Sequence, residues 1–325
     1  MVHLILTGAT GLIGSSILSH ILSLPSGGNI TRLSILTRNP TIPLLASTPP
    51  PGTPRANQTT RIEVIQHADF SAYPPELLER LQGADACIWA LGVSQSDVDA
   101  DTYVRVTRDF ALEAAKAFSE LRSSKSKPTK TTDSSAVAGG SEMDGANGND
   151  SLKQRTATTT TTTASGGEEG QRDADEKFKF IYVSGEGATL HPRAWTPIFG
   201  RVKGETEAAL LALSKTQPFA STLAVYSVRP AAVDGHNQPW LWRDILNHHR
   251  SWSQRMLVSS ALPPIRWASW AGLARSWHSP TEELGRVLVE MAVDESRALY
   301  SGPGVEGEGR TLGNIALRRL AREKK

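Results

Sequence analysis

Three glycines near the amino terminus have a spacing that suits phosphate binding. Gly8, Gly11 and Gly14 are separated by two residues each. Glycine lets the chain turn tightly and approach a pyrophosphate, and the free N–H groups of a following helix meet the phosphate charge. This spacing predicts a dinucleotide site, and the alternative is a tight turn that binds no ligand. The loop residues predicted to contact the dinucleotide are Gly8, Thr10, Gly11, Leu12, Ile13 and Gly14.

The segments on either side of this loop favour the ligand-binding interpretation. Val2–Leu6 is mostly apolar and β-prone, which predicts a buried first strand. Residues 12–24 place apolar side chains at helical spacing. A strand, a glycine loop and a helix in this order form the context that a dinucleotide-binding loop requires.

Arg38 indicates which dinucleotide the chain prefers. It directly follows the second predicted strand, Leu33–Thr37, where an NAD site usually carries an acidic residue for the ribose 2′-hydroxyl. A guanidinium instead suits a 2′-phosphate, because it forms charge-assisted and often paired hydrogen bonds. The sequence therefore predicts NADP(H) in preference to NAD(H). The alternative is a solvated surface arginine.

Alternating strands and helices predict the fold class. Residues 41–60 are rich in proline and threonine and predict a loop in place of one crossover helix. This order predicts an α/β, doubly wound and mostly parallel sheet. Further strands are predicted at Ile62–Gln66, at Ala86–Gly92 with a small-residue loop at its end, at Phe178–Val183 and at Ser221–Val228, with helices over Tyr103–Leu121 and Pro197–Leu213.

Composition divides the chain. Residues 119–177 contain no aromatic residue, so this stretch cannot bury enough apolar surface to offset its ordering entropy. We therefore predict a disordered low-complexity insertion at 123–176 within one nucleotide-binding domain. The predicted divisions are 1–122 with 177–235 for that domain, 123–176 for the insertion, and 236–325 for a small C-terminal cap and closing helices.

Charge and cysteine content exclude several classes of protein. The net charge of +2 over 325 residues is too small to indicate nucleic-acid binding. The single cysteine, Cys87, excludes a disulfide scaffold and fits a reducing compartment. Because the first predicted strand begins at Val2 and no apolar run is long enough to span a bilayer, a cytoplasmic protein is expected.

The chain resembles the Tat-interacting-protein-like group of atypical short-chain dehydrogenases/reductases, in a fungal form. Two of the motifs that carry the resemblance, at 105–109 and 202–207, are fairly specific together. The resemblance implies a Rossmann-type fold and NADP(H) binding, and some members are associated with mitochondria, which makes the mitochondrial outer surface an alternative location. The motifs are Thr7–Gly14, Arg38, Leu91-Gly92, Tyr103–Phe110, Val202–Glu207 and Val228–Pro230.

The same resemblance implies a catalytic constellation with one member missing. Ser184 would orient a carbonyl and Lys203 would bind the ribose, but the tyrosine expected four residues before the lysine is Phe199. Phenylalanine has no hydroxyl and cannot exchange a proton. The asparagine that completes many such sites is also absent from 101–110. Other contacts implied for the cofactor are Asp69 at the adenine, the adjacent Phe70, Leu91 and Gly92 beside the nicotinamide ribose, Lys203 and Arg229.

Other side chains could replace the missing hydroxyl. Glu186 and His191 follow Ser184 and could titrate usefully in a partly buried cleft, although a solvated loop is the simpler interpretation. Tyr182 lies in the preceding strand and is predicted to be in the core. Glu207, four residues after Lys203, is predicted to be structural, because such a pair contributes only a few tenths of a kcal/mol.

A segment rich in tryptophan and arginine lies in the C-terminal third. Ordinary packing of large aromatic side chains is one interpretation, and docking on a membrane surface or an anionic partner is another. Two functions therefore remain: a reductase of a small carbonyl or sugar-like compound, and a non-catalytic NADP(H)-binding regulator or scaffold. The residues of the segment are Trp240, Trp242, Trp252, Trp267, Trp270, Trp277, Arg243, Arg250, Arg255, Arg266 and Arg275.

Overall fold

A twisted sheet of eight strands forms the centre of the computed structural model. Its strand order is β3-β2-β1-β4-β5-β6-β10-β9, and all neighbouring strands are parallel except β10 and β9. A separate parallel pair joins β7 to β8. The structure describes residues 1–46, 56–122, 177–239, 262–269, 271, 275–296 and 298–323. The strands are β1 (Val2–Thr7), β2 (Ile30–Thr37), β3 (Arg61–Gln66), β4 (Ala86–Trp89), β5 (Phe178–Val183), β6 (Leu223–Arg229), β7 (Ala232–Asp234), β8 (His278–Pro280), β9 (Val305–Glu306) and β10 (Thr311–Gly313).

Helices cover both faces of the sheet. None of those in the described ranges has the length and apolar character needed to cross a membrane. The labelled helices are α1 (Leu12–Ser23), α2 (Pro43–Ala46), α3 (Pro75–Leu81), α4 (Ala100–Val104), α5 (Phe110–Phe118), α6 (Ile198–Leu213), α7 (Phe219–Thr222), α8 (Thr281–Val293) and α9 (Asn314–Glu323), and a further helix spans residues 262–269.

Side-chain alternation along the strands builds two cores. In β1, Leu4 and Leu6 face a cluster with α1, α8 and α9, whereas Ile5 faces a cluster with α3, α5 and α6. In β5, Ile181 joins the first cluster and Phe180 the second. All six residues of β1 are buried. Such apolar strands suit a parallel sheet covered on both faces, and the doubly wound fold predicted from the sequence is confirmed.

The sheet continues beyond the last strand that the sequence predicted. β10 pairs in parallel with β6, and β9 pairs antiparallel with β10. The part predicted as a cap, 236–325, therefore also supplies two strands of the central sheet, and its helices α8 and α9 pack on one core. Residues 240–261 of that part and the insertion predicted at 123–176 lie outside the described residues.

Two predicted segments differ in detail. The loop predicted at 41–60 contains one helical turn, α2. Residues 47–55 of this loop lie outside the described residues. The helix predicted from Tyr103 instead begins at Ala100, and its middle, Arg105–Asp109, has π-helical hydrogen bonding between α4 and α5. Single π-helical turns of this kind are common at functional sites.

Candidate functional site

The glycine loop joins β1 to α1 at the carboxyl edge of the sheet. Gly8 has a φ of +69°, and a Cβ at this position would lie 2.3 Å from the carbonyl oxygen of Ala90, which follows β4. A Cβ on Gly14 would lie 2.0 Å from the carbonyl oxygen of Gly8. Both positions therefore require glycine. The strands β2 and β3 lie on one side of β1, whereas β4, β5 and β6 lie on the other. The loop after β1 therefore borders the crevice where such folds bind ligands.

Two buried hydroxyls at the same edge have no hydrogen-bond partner. Thr7 ends β1 and Ser184 follows β5, and the Oγ atoms of both are buried without a partner in the described part of the chain. A buried polar group left unpaired costs about 1–3 kcal/mol, so such groups call for an explanation. A glycine cradle beside two unpaired hydroxyls fits a bound dinucleotide and its substrate.

Lys203 on α6 is held beside Ser184. Its Nζ donates to the backbone carbonyl oxygen of Ser184 at 2.7 Å and to that of Val183 at 3.5 Å. Burial lowers the pKa of Lys203 to about 8, and the carboxylate of Glu207 opposes this shift. Ser184 and Lys203 therefore meet at the end of β5, and the amine loses its proton more easily than an exposed lysine.

Phe199 occupies the space above this pair. The centroid of its ring lies 5.3 Å from Nζ of Lys203. A Cβ on Gly185 would lie 2.9 Å from Cζ of the ring, so the aromatic ring packs directly on the glycine backbone. The backbone N–H of Phe199 donates to Oε1 of Gln95 at 3.1 Å. The ring fills the site without supplying a group that can exchange a proton.

Arg229 contacts two carboxylates. Its guanidinium binds Glu207 with distances of 2.6–3.0 Å and Glu306 at 2.8 Å, and its side chain is 11% exposed. Burial opposes the charged form, but the hydrogen bonds that Arg229 donates to Glu207 outweigh it, so the pKa of Arg229 is raised. Glu207 thus binds Arg229, whereas its spacing in the sequence suggests Lys203 as the partner.

The residues expected at the adenosine half lie after β2 and β3. Arg38 is exposed directly after β2. Asp69 is exposed after β3 and accepts hydrogen bonds from the backbone and hydroxyl of Ser71, which lower its pKa. Phe70 is buried in the core against Trp89, with 5.8 Å between ring centroids. The side chain of Phe70 is therefore not available to a ligand.

The loop after β4 reaches the first turn of α6. Leu91 is partly buried, Gly92 is exposed, and a Cβ on Gly92 would meet no atom within 4 Å. Gln95, further along, accepts the hydrogen bond from Phe199 described above. Gln95 and Thr7 are not among the residues predicted to contact a ligand, and the position of Thr7 at the end of the first strand is the signal that the sequence offers.

The loop after Ser184 is fixed to the C-terminal helix. Oε2 of Glu186 accepts from the backbone N–H of Asn314, the first residue of α9, at 3.2 Å. His191 is exposed. Tyr182 is buried in the core, as predicted, and burial raises the pKa of its hydroxyl. Among the described residues, no His, Cys, Asp or Glu group could hold a metal ion.

The segment rich in tryptophan and arginine is described only in part. Trp267 and Trp277 are 66% and 70% exposed. Arg266 binds the carboxylate of Asp234 through two hydrogen bonds. Arg275 is placed in a short helical turn. The residues of the segment outside the described ranges are Trp240, Trp242, Trp252, Trp270, Arg243, Arg250 and Arg255.

Known proteins resemble this chain in sequence and in fold. No profile of a known protein family matches it. Botcinic acid biosynthesis cluster B protein 16 of Botryotinia fuckeliana is 36% identical over 152 residues, which are 44% of this chain and 85% of that protein. Leucinostatins biosynthesis cluster protein T of Purpureocillium lilacinum is 25% identical over 97% of this chain and 94% of that protein.

Solved structures share the architecture at low sequence identity. A short-chain type dehydrogenase/reductase from Mycobacterium ulcerans superimposes with a TM-score of 0.51 and 13% identity, over 96% of this chain and 87% of its own. The NADP complex of RhlG from Pseudomonas aeruginosa superimposes with a TM-score of 0.51 and 13% identity, over 95% of this chain and 93% of its own. The chain therefore has the Rossmann-type fold of short-chain dehydrogenases/reductases and belongs to the family of botcinic acid biosynthesis cluster B protein 16.

Proposed function

We propose that this protein binds NADP(H) and reduces the carbonyl group of a small molecule. The names of its two relatives place them in biosynthesis clusters, so we further propose that the substrate is an intermediate of a small-molecule biosynthesis. The observation that carries the proposal is the convergence of the glycine cradle, the unpaired Oγ of Ser184 and Lys203 at one edge of the sheet.

Each part of this edge has a role in the proposal. The backbone N–H groups of the glycine loop and of the start of α1 bind the pyrophosphate, and Gly8 and Gly14 allow the tight packing that this loop requires. Arg38, exposed after β2, binds the 2′-phosphate. Ser184 donates a hydrogen bond to the substrate carbonyl, which uses its unpaired hydroxyl. A bound nicotinamide supplies the hydride.

The test of cofactor binding is a titration with NADPH and NADH, followed by tryptophan fluorescence and by calorimetry. We expect tighter binding of NADPH. Arg38→Ala should weaken NADPH binding by roughly tenfold to a hundredfold, because a hydrogen-bonded charged group contributes about 1.5–3 kcal/mol, and should leave NADH binding unchanged. Arg61→Ala is the matched control. Arg61 is an exposed arginine at the amino end of β3, whereas Arg38 follows the carboxyl end of β2. Equal affinity for both dinucleotides would contradict the NADP preference.

A non-catalytic NADP(H)-binding protein is the second candidate, and the observation that favours it is the phenylalanine at position 199. Its ring contacts Gly185 and Lys203 but carries no proton donor. In this case NADPH binds, and no carbonyl compound is reduced at any pH. Attachment to a membrane through the exposed Trp267 and Trp277 would accompany such a role, and flotation with anionic liposomes tests it.

A further inference from the structure

We propose that Lys203 itself supplies the proton in carbonyl reduction, in place of the tyrosine hydroxyl that Phe199 lacks. This inference rests on the proposed function and adds a catalytic residue to it. Reduction adds a hydride to the carbonyl carbon and a proton to its oxygen. The reduced dinucleotide provides the hydride, the ammonium of Lys203 provides the proton and is left as a neutral amine, and water returns a proton to the amine.

The contacts of Nζ leave one donor for the substrate. A lysine ammonium has three N–H donors. Two of them are used by the backbone carbonyls of Ser184 and Val183, at 2.7 and 3.5 Å. The third has no partner within the described ranges. Because Ser184 also offers an unpaired hydroxyl, a carbonyl oxygen placed at the end of β5 can receive hydrogen bonds from both side chains.

The surroundings make this ammonium a competent acid near neutral pH. Glu207, one turn later on α6, is the ionisable group that acts on Lys203 in the described part of the chain, and Arg229 of β6 binds its carboxylate. The lysine is therefore not neutralised by an ion pair of its own. Burial lowers the pKa of Lys203 to about 8, close to the range in which general acids work best.

Phe199 packs beside this donor and supplies no proton of its own. The ring lies 5.3 Å from Nζ and packs on the backbone of Gly185. Glu186, in the loop after Ser184, binds the start of α9. Tyr182 is buried in the core. Lys203 is thus the group in this part of the described structure that is both placed to donate and able to lose a proton near neutral pH.

The first experiment measures NADPH oxidation by the full-length protein with p-nitrobenzaldehyde as the probe, between mildly acidic and strongly basic pH. The rate should be constant below pH 8 and fall as pH rises through about 8, because the acid must be protonated. Lys203→Arg keeps the positive charge but cannot release its proton. The Lys203→Arg variant should bind NADPH with an affinity within a few fold of wild type, and its rate should be about 10²–10⁴-fold lower. The fall in rate above about pH 8, which is the basic limb of the profile, should be absent.

Two further variants separate a catalytic from a structural role. Phe199→Tyr restores a hydroxyl, so the double variant with Lys203→Arg should exceed the rate of Lys203→Arg alone. Lys116→Arg is the matched control, since Lys116 is an exposed lysine paired with Glu113 on α5, and it should leave rate and pH profile unchanged.

A direct titration gives a readout independent of turnover. The lysine amines are methylated with isotope-labelled formaldehyde and observed by NMR. The methyl resonance that is missing in Lys203→Arg belongs to Lys203, and its position in the wild type is followed with pH. It should titrate well below the resonance missing in Lys116→Arg. Failure of the wild type to bind NADPH would overturn the proposed function. NADPH binding with no oxidation of the probe, or with a basic limb that persists in Lys203→Arg, would overturn only the role of Lys203.

Discussion

Glu207 on α6 and Arg229 at the end of β6 form a buried ion pair beside the candidate site. The guanidinium makes three hydrogen bonds to the carboxylate, at 2.6–3.0 Å, and the two side chains are 3% and 11% exposed. This pairing ties the helix that carries Lys203 to the neighbouring strand. It also keeps the carboxylate of Glu207 bound to Arg229, so that this carboxylate does not form an ion pair with Lys203.

Breaking this pair should destabilise the fold. Glu207→Gln leaves a buried guanidinium with only the exposed Glu306, so we expect the free energy of unfolding to fall by about 3–5 kcal/mol in urea. Glu306→Gln is the matched control. Because Glu306 is 66% exposed, this substitution should lower the free energy of unfolding by less than about 1 kcal/mol. The double variant Glu207→Gln/Arg229→Met should lose less than the sum of its singles. Equal losses for Glu207→Gln and Glu306→Gln would refute this account.

Alanine in the glycine loop should reduce NADPH binding and stability together. Gly8→Ala puts a Cβ 2.3 Å from the carbonyl oxygen of Ala90 at a φ of +69°, a conformation that costs an L residue about 1–2 kcal/mol before any contact is counted. A displaced loop that loses about 1.4 kcal/mol of binding free energy binds NADPH tenfold more weakly, so we expect the affinity to fall at least about tenfold. Thermal unfolding and NADPH titration measure the two effects.

The control for the loop is another glycine outside the site. A Cβ on Gly28 would lie 3.5 Å from the carbonyl oxygen of Pro25, which is an ordinary contact. Gly28→Ala should therefore leave NADPH affinity unchanged. If Gly8→Ala bound NADPH as tightly as Gly28→Ala does, the loop would not be the pyrophosphate site.

Asp234 should make stability depend on pH under acidic conditions. Burial alone would raise the pKa of this carboxyl, but hydrogen bonds from His278 and Arg266 outweigh burial and lower it. A carboxyl with a lowered folded-state pKa stabilises the fold fully above its unfolded value of about 3.9, and this contribution is lost as pH falls through the folded value.

Asp234→Asn isolates that contribution. We expect a loss of about 3–5 kcal/mol at neutral pH, because the variant leaves Arg266 partly buried without its carboxylate, and a smaller further loss on acidification than in wild type. Urea unfolding at a series of pH values gives both quantities. Glu120→Gln, at an exposed position after α5, should change neither by more than about 0.5 kcal/mol. An acid dependence identical to wild type in Asp234→Asn would count against the argument.

The predictable parts of this molecule are those whose sequence signals are local. β1 and β5 are mostly apolar, and α6 lies where helical spacing predicts it. Ser184 and Lys203 therefore come together at the end of β5. β9 and β10 have two and three residues, which are too few to show a period.

Long-range partners are the other part that sequence could not supply. Glu207 is 22 residues from Arg229, and the i,i+4 spacing instead suggests Lys203 as its partner. The choice depends on β6 lying beside α6, which is a property of the assembled sheet. In the same way, Asn314 gives no local signal, although its side-chain amide binds Ser276 and Ser279 and its backbone N–H binds Glu186.

Asn314 should be essential for the link between the candidate site and the C-terminal helix. Its backbone N–H donates to Glu186, its side-chain nitrogen donates to the backbone carbonyls of Ser276 and His278, and its side-chain oxygen accepts from Ser279. Because the residue is 1% exposed, Asn314→Ala leaves several buried groups unpaired, each costing about 1–3 kcal/mol.

We therefore expect Asn314→Ala to lower the free energy of unfolding by at least about 2 kcal/mol, well beyond the effect of Asn29→Ala at an exposed position. The loop that carries Glu186 should also become more mobile, since Asn314 marks the start of the helix that Glu186 contacts. Amide hydrogen exchange of residues 184–190 measures this directly. Unchanged exchange in that loop together with a large loss of stability would mean that Asn314 supports the C-terminal strands and helix but does not position the candidate site.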